Sequence, residues 1–249
     1  MSDVTYPYEL AESMHSSSAS PQSTWNDPQL FQDFVPSREI AVASMQAGPS
    51  QAPSWHPTKV FPPEKYIGAA VQVVLHGISR LPMVARVTMI DYRGFVVYDT
   101  YVRPTQPVSD YRAAQTGLTP YTLARAPPFP EVQQRVANLL RDKLLVGYAL
   151  WEFLSVMGLS HPAIDTRDVA LFLPFRRSLR VRATHVVPLV ALVNQLLARN
   201  IGLHGEHPVE HARAAMDLFR SCEKVWEGIV ASGSWPCALP PDAYANCFN

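Results

Sequence analysis

A small set of side chains in this sequence is capable of chemistry. His207 and His211 stand four residues apart, a spacing that sets two imidazoles on one helical face and can ligate a transition metal. The Glu that follows the first His in zinc proteases is absent, and no third ligand is evident. Ordinary helix-surface or pocket histidines are therefore the better reading. The run FRRSLRVR brings Arg176, Arg177, Arg180 and Arg182 together, with Arg199 further on and no acid between Asp168 and Glu206. Guanidinium forks suit phosphate oxygens, so the run reads either as a phosphate contact or as a solvated loop paired with acids elsewhere. Tyr148 and Trp151 could stack a base, although such aromatics more often belong to a core. Asp91, Asp99, Glu152, Asp165 and Asp168 are carboxylates that could serve a metal, although Asp165 and Asp168 read better as holding local structure. Cys222, Cys237 and Cys247 are odd in number and too widely spaced for a zinc site, so free or structural thiols are expected.

These residues need a scaffold, and the composition supplies one. The chain has 249 residues, 47% of them apolar, only 17% charged, and 23 prolines. That is enough for one domain with a real core plus Pro-rich appendages. Formal net charge is zero, but unevenly spread: residues 1–58 hold six acids and one base, Arg38. The remainder is mildly basic, which is compatible with nucleic-acid contact. The N-terminus lacks the basic start and apolar run of a signal peptide, and no apolar stretch is as long as a membrane span. An intracellular protein without membrane contact is expected.

Residues 1–58 read as a disordered, acidic Ser/Pro-rich tail. Within it WNDPQLFQDFVP forms an aromatic island. Asp27 suits an N-cap and Pro28 a first helical position, so a short helix over 27–35 would set Leu30, Phe31, Phe34 and Val35 on one face, with Trp25 just before it. Such an island docks on a protein partner, packs on its own domain or has no role. The domain proper is expected over 59–231, with a C-terminal tail at 232–249. Three strands, Lys65–Leu75, Val84–Ile90 and Phe95–Val102, are predicted to form an antiparallel meander with a tight turn at Tyr92–Gly94. EVQQRVANLLRD predicts a helix, LLVGYAL a buried strand, and WEFLSVMG a helix ending at Gly158. AIDTRD suggests a short strand or turn. Helices follow from about Pro188 and from about Pro208. The order gives an α/β fold, with a mixed sheet (meander plus parallel strands) flanked by helices.

From Lys65 to Arg220 the chain resembles the DEDD-type 3′–5′ exonucleases near RNA exonuclease 4 and the interferon-stimulated 20-kDa exonuclease. The likeness rests on ARVTMIDYRGFVVYDTYVRPTQPVSDYRAAQTGLTP, LLVGYAL, SHPAIDTRDVALFLPFR and GEHPVEHARAAMDLFR, in that order. It implies the ribonuclease-H-like exonuclease fold. Such enzymes use two divalent ions about 4 Å apart to activate water and stabilise the leaving oxygen. The family holds them with an Asp-x-Glu on the first strand, an Asp after a Gly-His-Ala-Leu segment and an Asp on the last helix. A His shortly before that last Asp is the general base. In this chain the resemblance sets Ala70 and Gln72 at the strand pair, Phe153 at the next Asp and His211 at the last. Glu206 aligns with the His, with His207 one residue away, and Tyr148 stands at the His of Gly-His-Ala-Leu.

None of the four acid positions then carries a carboxylate. Phe153 is expected to put a ring where an ion would sit, although a shift of one residue would bring Glu152 there. The expectation is a catalytically degenerate 3′–5′ exonuclease-like protein, with no intact catalytic residue and His207 as a possible remnant. It would bind RNA or single-stranded nucleic acid through Arg176, Arg177, Arg180 and Arg182, or act as a scaffold. Trp25, Leu30, Phe31 and Phe34 would serve a protein partner. No metal or other cofactor is expected, unless the alternative holds of a rearranged, Mg²⁺- or Mn²⁺-dependent RNA exonuclease. A protein-interaction domain without a nucleic-acid role is a further alternative. The resemblance favours nuclear over cytoplasmic residence.

Overall fold

The structure is a computed structural model that describes residues 61–182 and 184–249. The aromatic island at Trp25, Leu30, Phe31 and Phe34 lies outside those residues. Six strands form one sheet: β1 (Tyr66–His76), β2 (Leu81–Asp91), β3 (Val96–Tyr101), β4 (Val108–Asp110), β5 (Leu144–Gly147) and β6 (Thr166–Asp168). Their spatial order is β3-β2-β1-β5-β6, with β4 pairing the far end of β1. The first three strands are antiparallel, and β5 and β6 run parallel to β1. The expected meander with added parallel strands is therefore the architecture found. The turn between β2 and β3 is held by Asp91, whose carboxylate accepts from the amides of Arg93 and Phe95.

Among the described residues seven α-helices pack around the sheet: α1 (Ala113–Thr116), α2 (Pro120–Ala124), α3 (Phe129–Leu140), α4 (Leu150–Met157), α5 (Leu173–Ser178), α6 (Leu189–Leu197) and α7 (Pro208–Ala231). Strand pleating divides them between two faces. Ile67, Ala69 and Val71 of β1 enter a core with Val132 and Val136 of α3 and Leu150, Phe153 and Leu154 of α4. Tyr66 and Ala70 join the opposite core, with Leu192 of α6 and Ala212, Met216 and Phe219 of α7. Gly68 permits the close seat of α7. A Cβ there would lie 2.7 Å from Ile90 and 3.3 Å from the Met216 methyl.

Two features tie distant parts of the chain. Arg167 of β6 donates from Nε and Nη2 to Glu227 of α7 at 2.7 and 3.0 Å, with both side chains buried. The C-terminal residues, expected as a tail, instead pack on the domain. Ala238 donates its amide to Leu171, Phe172 bridges Cys237, and His161 bridges Phe248. Phe248 and Tyr244 cover apolar residues that would otherwise face water. All three cysteines are free, as expected. Among the described residues no helix is long and apolar enough to cross a membrane.

Candidate functional site

The cleft lies where the second half of β1 meets the head of α7. Ala70 pairs with Thr88 and Gln72 with Arg86 across the β1–β2 ladder, and the register shifts just after Gln72. Ala70 offers only a methyl group. Gln72 is 2% exposed, and its amide Nε2 donates to the carbonyls of Thr116, at 3.2 Å, and Glu206. One buried side chain thereby clamps α1 to the loop that leads into α7. Oε1 of the same amide is buried without a partner among the described residues.

Charge in the cleft is balanced within the chain. Glu206 accepts from Nη2 of Arg112 at 2.6 Å. Its amide donates to the Gln115 carbonyl at 2.7 Å, so backbone and side chain both bind the α1 segment. Glu152 of α4 feels Arg112 and Glu206, and burial outweighs the arginine and raises its carboxyl above the usual range. Beside it Arg86 grips Asp99 in two bonds, at 2.9 and 2.6 Å, while Thr88 donates to the same carboxylate. Arg86 also lies over the Tyr101 ring and comes within 3.4 Å of His207 Nε2. His211, largely buried, is held neutral by burial against the pull of Glu206 and Glu210.

Ala70, Gln72 and His211 are brought to this cleft, and His207 stands exposed at its edge. Phe153 is not in it. Its ring is 2% exposed in the core on the other face of the sheet, with Ile67, Ala69 and Val87. Glu152, one residue earlier on α4, takes the cleft side. Consecutive helical residues point about 100° apart, so a one-residue difference exchanges core for cleft. The candidate phosphate contacts also divide. Arg176 is 3% exposed and donates Nε and Nη2 to the Ala170 carbonyl, which removes it from the surface set. Arg177, Arg180 and Arg182 are exposed. Tyr148 donates to the Val187 carbonyl and Trp151 is buried, so both serve packing. The histidine pair finds no metal partners: among the described residues no group of three or more His, Cys, Asp or Glu is placed to hold an ion.

The remaining acids have structural partners. Asp168 accepts from the amides of Ala149, Leu150 and Ala170, which caps the start of α4 and the turn after β6. Asp99 is taken by Arg86, and Asp91 by the hairpin turn. The sequence reading missed the Arg112–Glu206 pair. Its only signal was that both residues lie in segments that carry the family likeness.

A mixed sheet of this order, with helices on both faces, is a ribonuclease-H-like fold. Solved structures of that fold superpose on the chain. The Neurospora crassa Pan2 catalytic unit matches with a TM-score of 0.55 at 18% identity, over 72% of this chain and 29% of that one. A Saccharomyces cerevisiae Pan2 UCH-Exo module solved with AAGGAA RNA matches with a TM-score of 0.55 at 20% identity, over 68% and 32%. Residues 73–161 match the family described as Exonuclease. Curated relatives include RNA exonuclease 4 of Mycosarcoma maydis, 40% identical over 60% of this chain and 40% of its own. Human apoptosis-enhancing nuclease is 35% identical over 64% of this chain and 50% of its own. The chain thus spans about half the length of these relatives or less. Its 73–161 segment is similar to an exonuclease-family domain.

Exonucleases of this class imply divalent metal, and the donors in this cleft do not fit it. Hard cations take anionic oxygens. Here Ala70 has none, the Gln72 nitrogen faces two carbonyls, and Glu206 already holds a guanidinium.

Proposed function

We propose that this domain is a catalytically degenerate 3′–5′ exonuclease that binds RNA or single-stranded nucleic acid without hydrolysing it. The observation that carries this reading is the Gln72 clamp beside the Arg112–Glu206 pair. Phosphodiester hydrolysis builds negative charge on an already anionic centre. Losing one preorganised electrostatic group costs about 3–4 kcal/mol of barrier, and losing the ions costs the reaction. At the positions that the resemblance assigns to acids, this chain offers a methyl group, an amide, a core ring and a neutral imidazole.

Binding has separate support. Arg177, Arg180 and Arg182 are exposed on one short segment, and the Pan2 module above was solved with RNA. In the same reading Trp25, Leu30, Phe31 and Phe34 would recruit a protein partner. The runner-up is an enzyme with a rearranged site, favoured by the approach of Glu152 and Glu206 on one cleft. Labelled single-stranded RNA with Mg²⁺ or Mn²⁺ separates the two. The proposal expects intact RNA that is retained in a salt-dependent way, and several-fold weaker retention when the three exposed arginines become Gln. RNA shortening that disappears in His207→Ala would establish the runner-up instead.

A further inference from the structure

We infer that the outer edge of β3 is a docking strip for residues 48–56 of this same chain, GPSQAPSWH, which add to it as one antiparallel strand. β3 ends the sheet on one side, and its outer edge has no strand partner among the described residues. Phe95, Val96, Val97 and Tyr101 are 67%, 45%, 47% and 38% exposed along it. Natural proteins guard such edges with lysine, proline, a bulge or a covering element. A register shift at Val97 bends the start of β3, but Tyr98–Tyr101 run in regular register with β2. Val96–Tyr101 holds neither Lys nor Pro, and its one charge, Asp99, is bound by Arg86 and Thr88. That leaves an apolar edge open to a covering strand.

The chain enters the domain beside this strip. The Phe61 ring lies 6.4 Å from Tyr66 at the start of β1, and the Tyr66 ring lies 5.3 Å from Tyr92, in the turn that leads to β3. Ile67 pairs with Asp91 and Ile90 with Val96, so β1 and β3 begin at the same end of the sheet. Neighbouring strands lie about 4.8 Å apart, which puts the outer edge of β3 about 15 Å from β1, a span of about five extended residues. Residues 57–61 make that crossing, and the nine before them run antiparallel to β3. Their prolines choose the edge that pairs. Alternate residues of a strand turn their amides to opposite sides. Pro49, Pro53 and Pro57 all fall on one side, while Ser50, Ala52, Ser54 and His56 keep every donor on the other. Proline is admitted at a sheet edge with its imide toward solvent, so the segment bonds β3 by one side and closes the sheet with the other. A second copy is the poorer occupant. Six strand residues fall short of the roughly 20 a side of a stable complex, whereas a tethered segment binds at the high effective concentration of its short linker.

The test is amide hydrogen exchange of the full chain, followed residue by residue over Val96–Tyr101 by nuclear magnetic resonance. The β3 amides that point away from β2 should exchange at least about tenfold more slowly than open-chain amides, at every protein concentration. Ala52→Pro removes a donor from the pairing side and should cost most of that protection. Gln51→Pro makes the same change one residue away, on the solvent side, and should leave the protection within about twofold. Slow exchange at Val146, buried in β5, reports that each variant is folded. Open-chain exchange at all outward β3 amides of the wild type overturns the inference. So does any outcome in which Ala52→Pro is no more damaging than Gln51→Pro. Protection that grows with protein concentration assigns the strip to a second copy and overturns it too.

Discussion

At its C-terminal half α7 is tied to β6 by Glu227 and Arg167, with side chains 4% and 1% exposed. Just before its head Glu206 meets Arg112, with 25% and 16% exposed. Both are close Arg–Glu contacts, at 2.7 and 2.6 Å, and both fix the same helix to the rest of the domain. They differ in surroundings. The Arg167 guanidinium is satisfied on every side, since it also donates to the carbonyls of Ile164 and Thr166. The Arg112 pair lies in a cleft with a second carboxylate and an unpartnered amide oxygen beside it. The same pairing is therefore sealed from water at one end of the helix and open to one side at the other.

The sharpest way to break this contrast is to remove one partner of the sealed pair. Glu227→Ala leaves a buried guanidinium without its counter-charge, and should cost about 3–5 kcal/mol in chemical denaturation. A loss below that of Arg112→Gln would reverse the ranking. Next comes the clamp. Gln72→Ala strips the donor from the Thr116 and Glu206 carbonyls, for about 1–3 kcal/mol. It should also loosen the loop before α7, seen as faster amide exchange at Glu206. The smallest effect belongs to the exposed pair Arg80–Asp110, 63% and 38% exposed, where Arg80→Ala should change stability by about 0–1 kcal/mol.

The cleft also has a pH signature. Burial lowers the His211 pKa below the ordinary 6.5 and keeps the ring neutral when folded. Below 6.5 the unfolded chain then binds more protons than the folded one. Stability from this group is complete above 6.5 and declines as pH falls toward the folded value. His161, buried and likewise lowered, adds to the same slope. His211→Gln should flatten the decline without removing it. An unchanged slope in denaturation midpoints from pH 7 to 5 would show that His211 is solvated.

Much of the fold was legible because periodicity speaks for whole elements. The meander, the apolar LLVG strand, the stop at Gly158 and the long last helix were all readable from alternation, length and caps. The β4 strand escaped because three residues in a Pro-rich stretch have no period. The C-terminal segment escaped because its pairing with Leu171 and His161 is long-range. The site was legible in composition but not in direction. Ala70 and Gln72 were assigned to the cleft by the family likeness alone, and both lie on one strand, β1, two residues apart. Phe153 and Glu152 exchanged roles because a helix turns with every residue. Arg176 was grouped with its neighbours because a basic run does not say which member points inward. No local pattern joins Arg112 to Glu206.

The central claim is that this cleft does not hold divalent cations, and Mn²⁺ binding followed by electron paramagnetic resonance addresses it directly. The account predicts that free Mn²⁺ signal falls no further with wild-type protein than with a surface-matched control chain. Saturable uptake of two Mn²⁺ per chain, reversed by Glu152→Gln or Glu206→Gln, would contradict it.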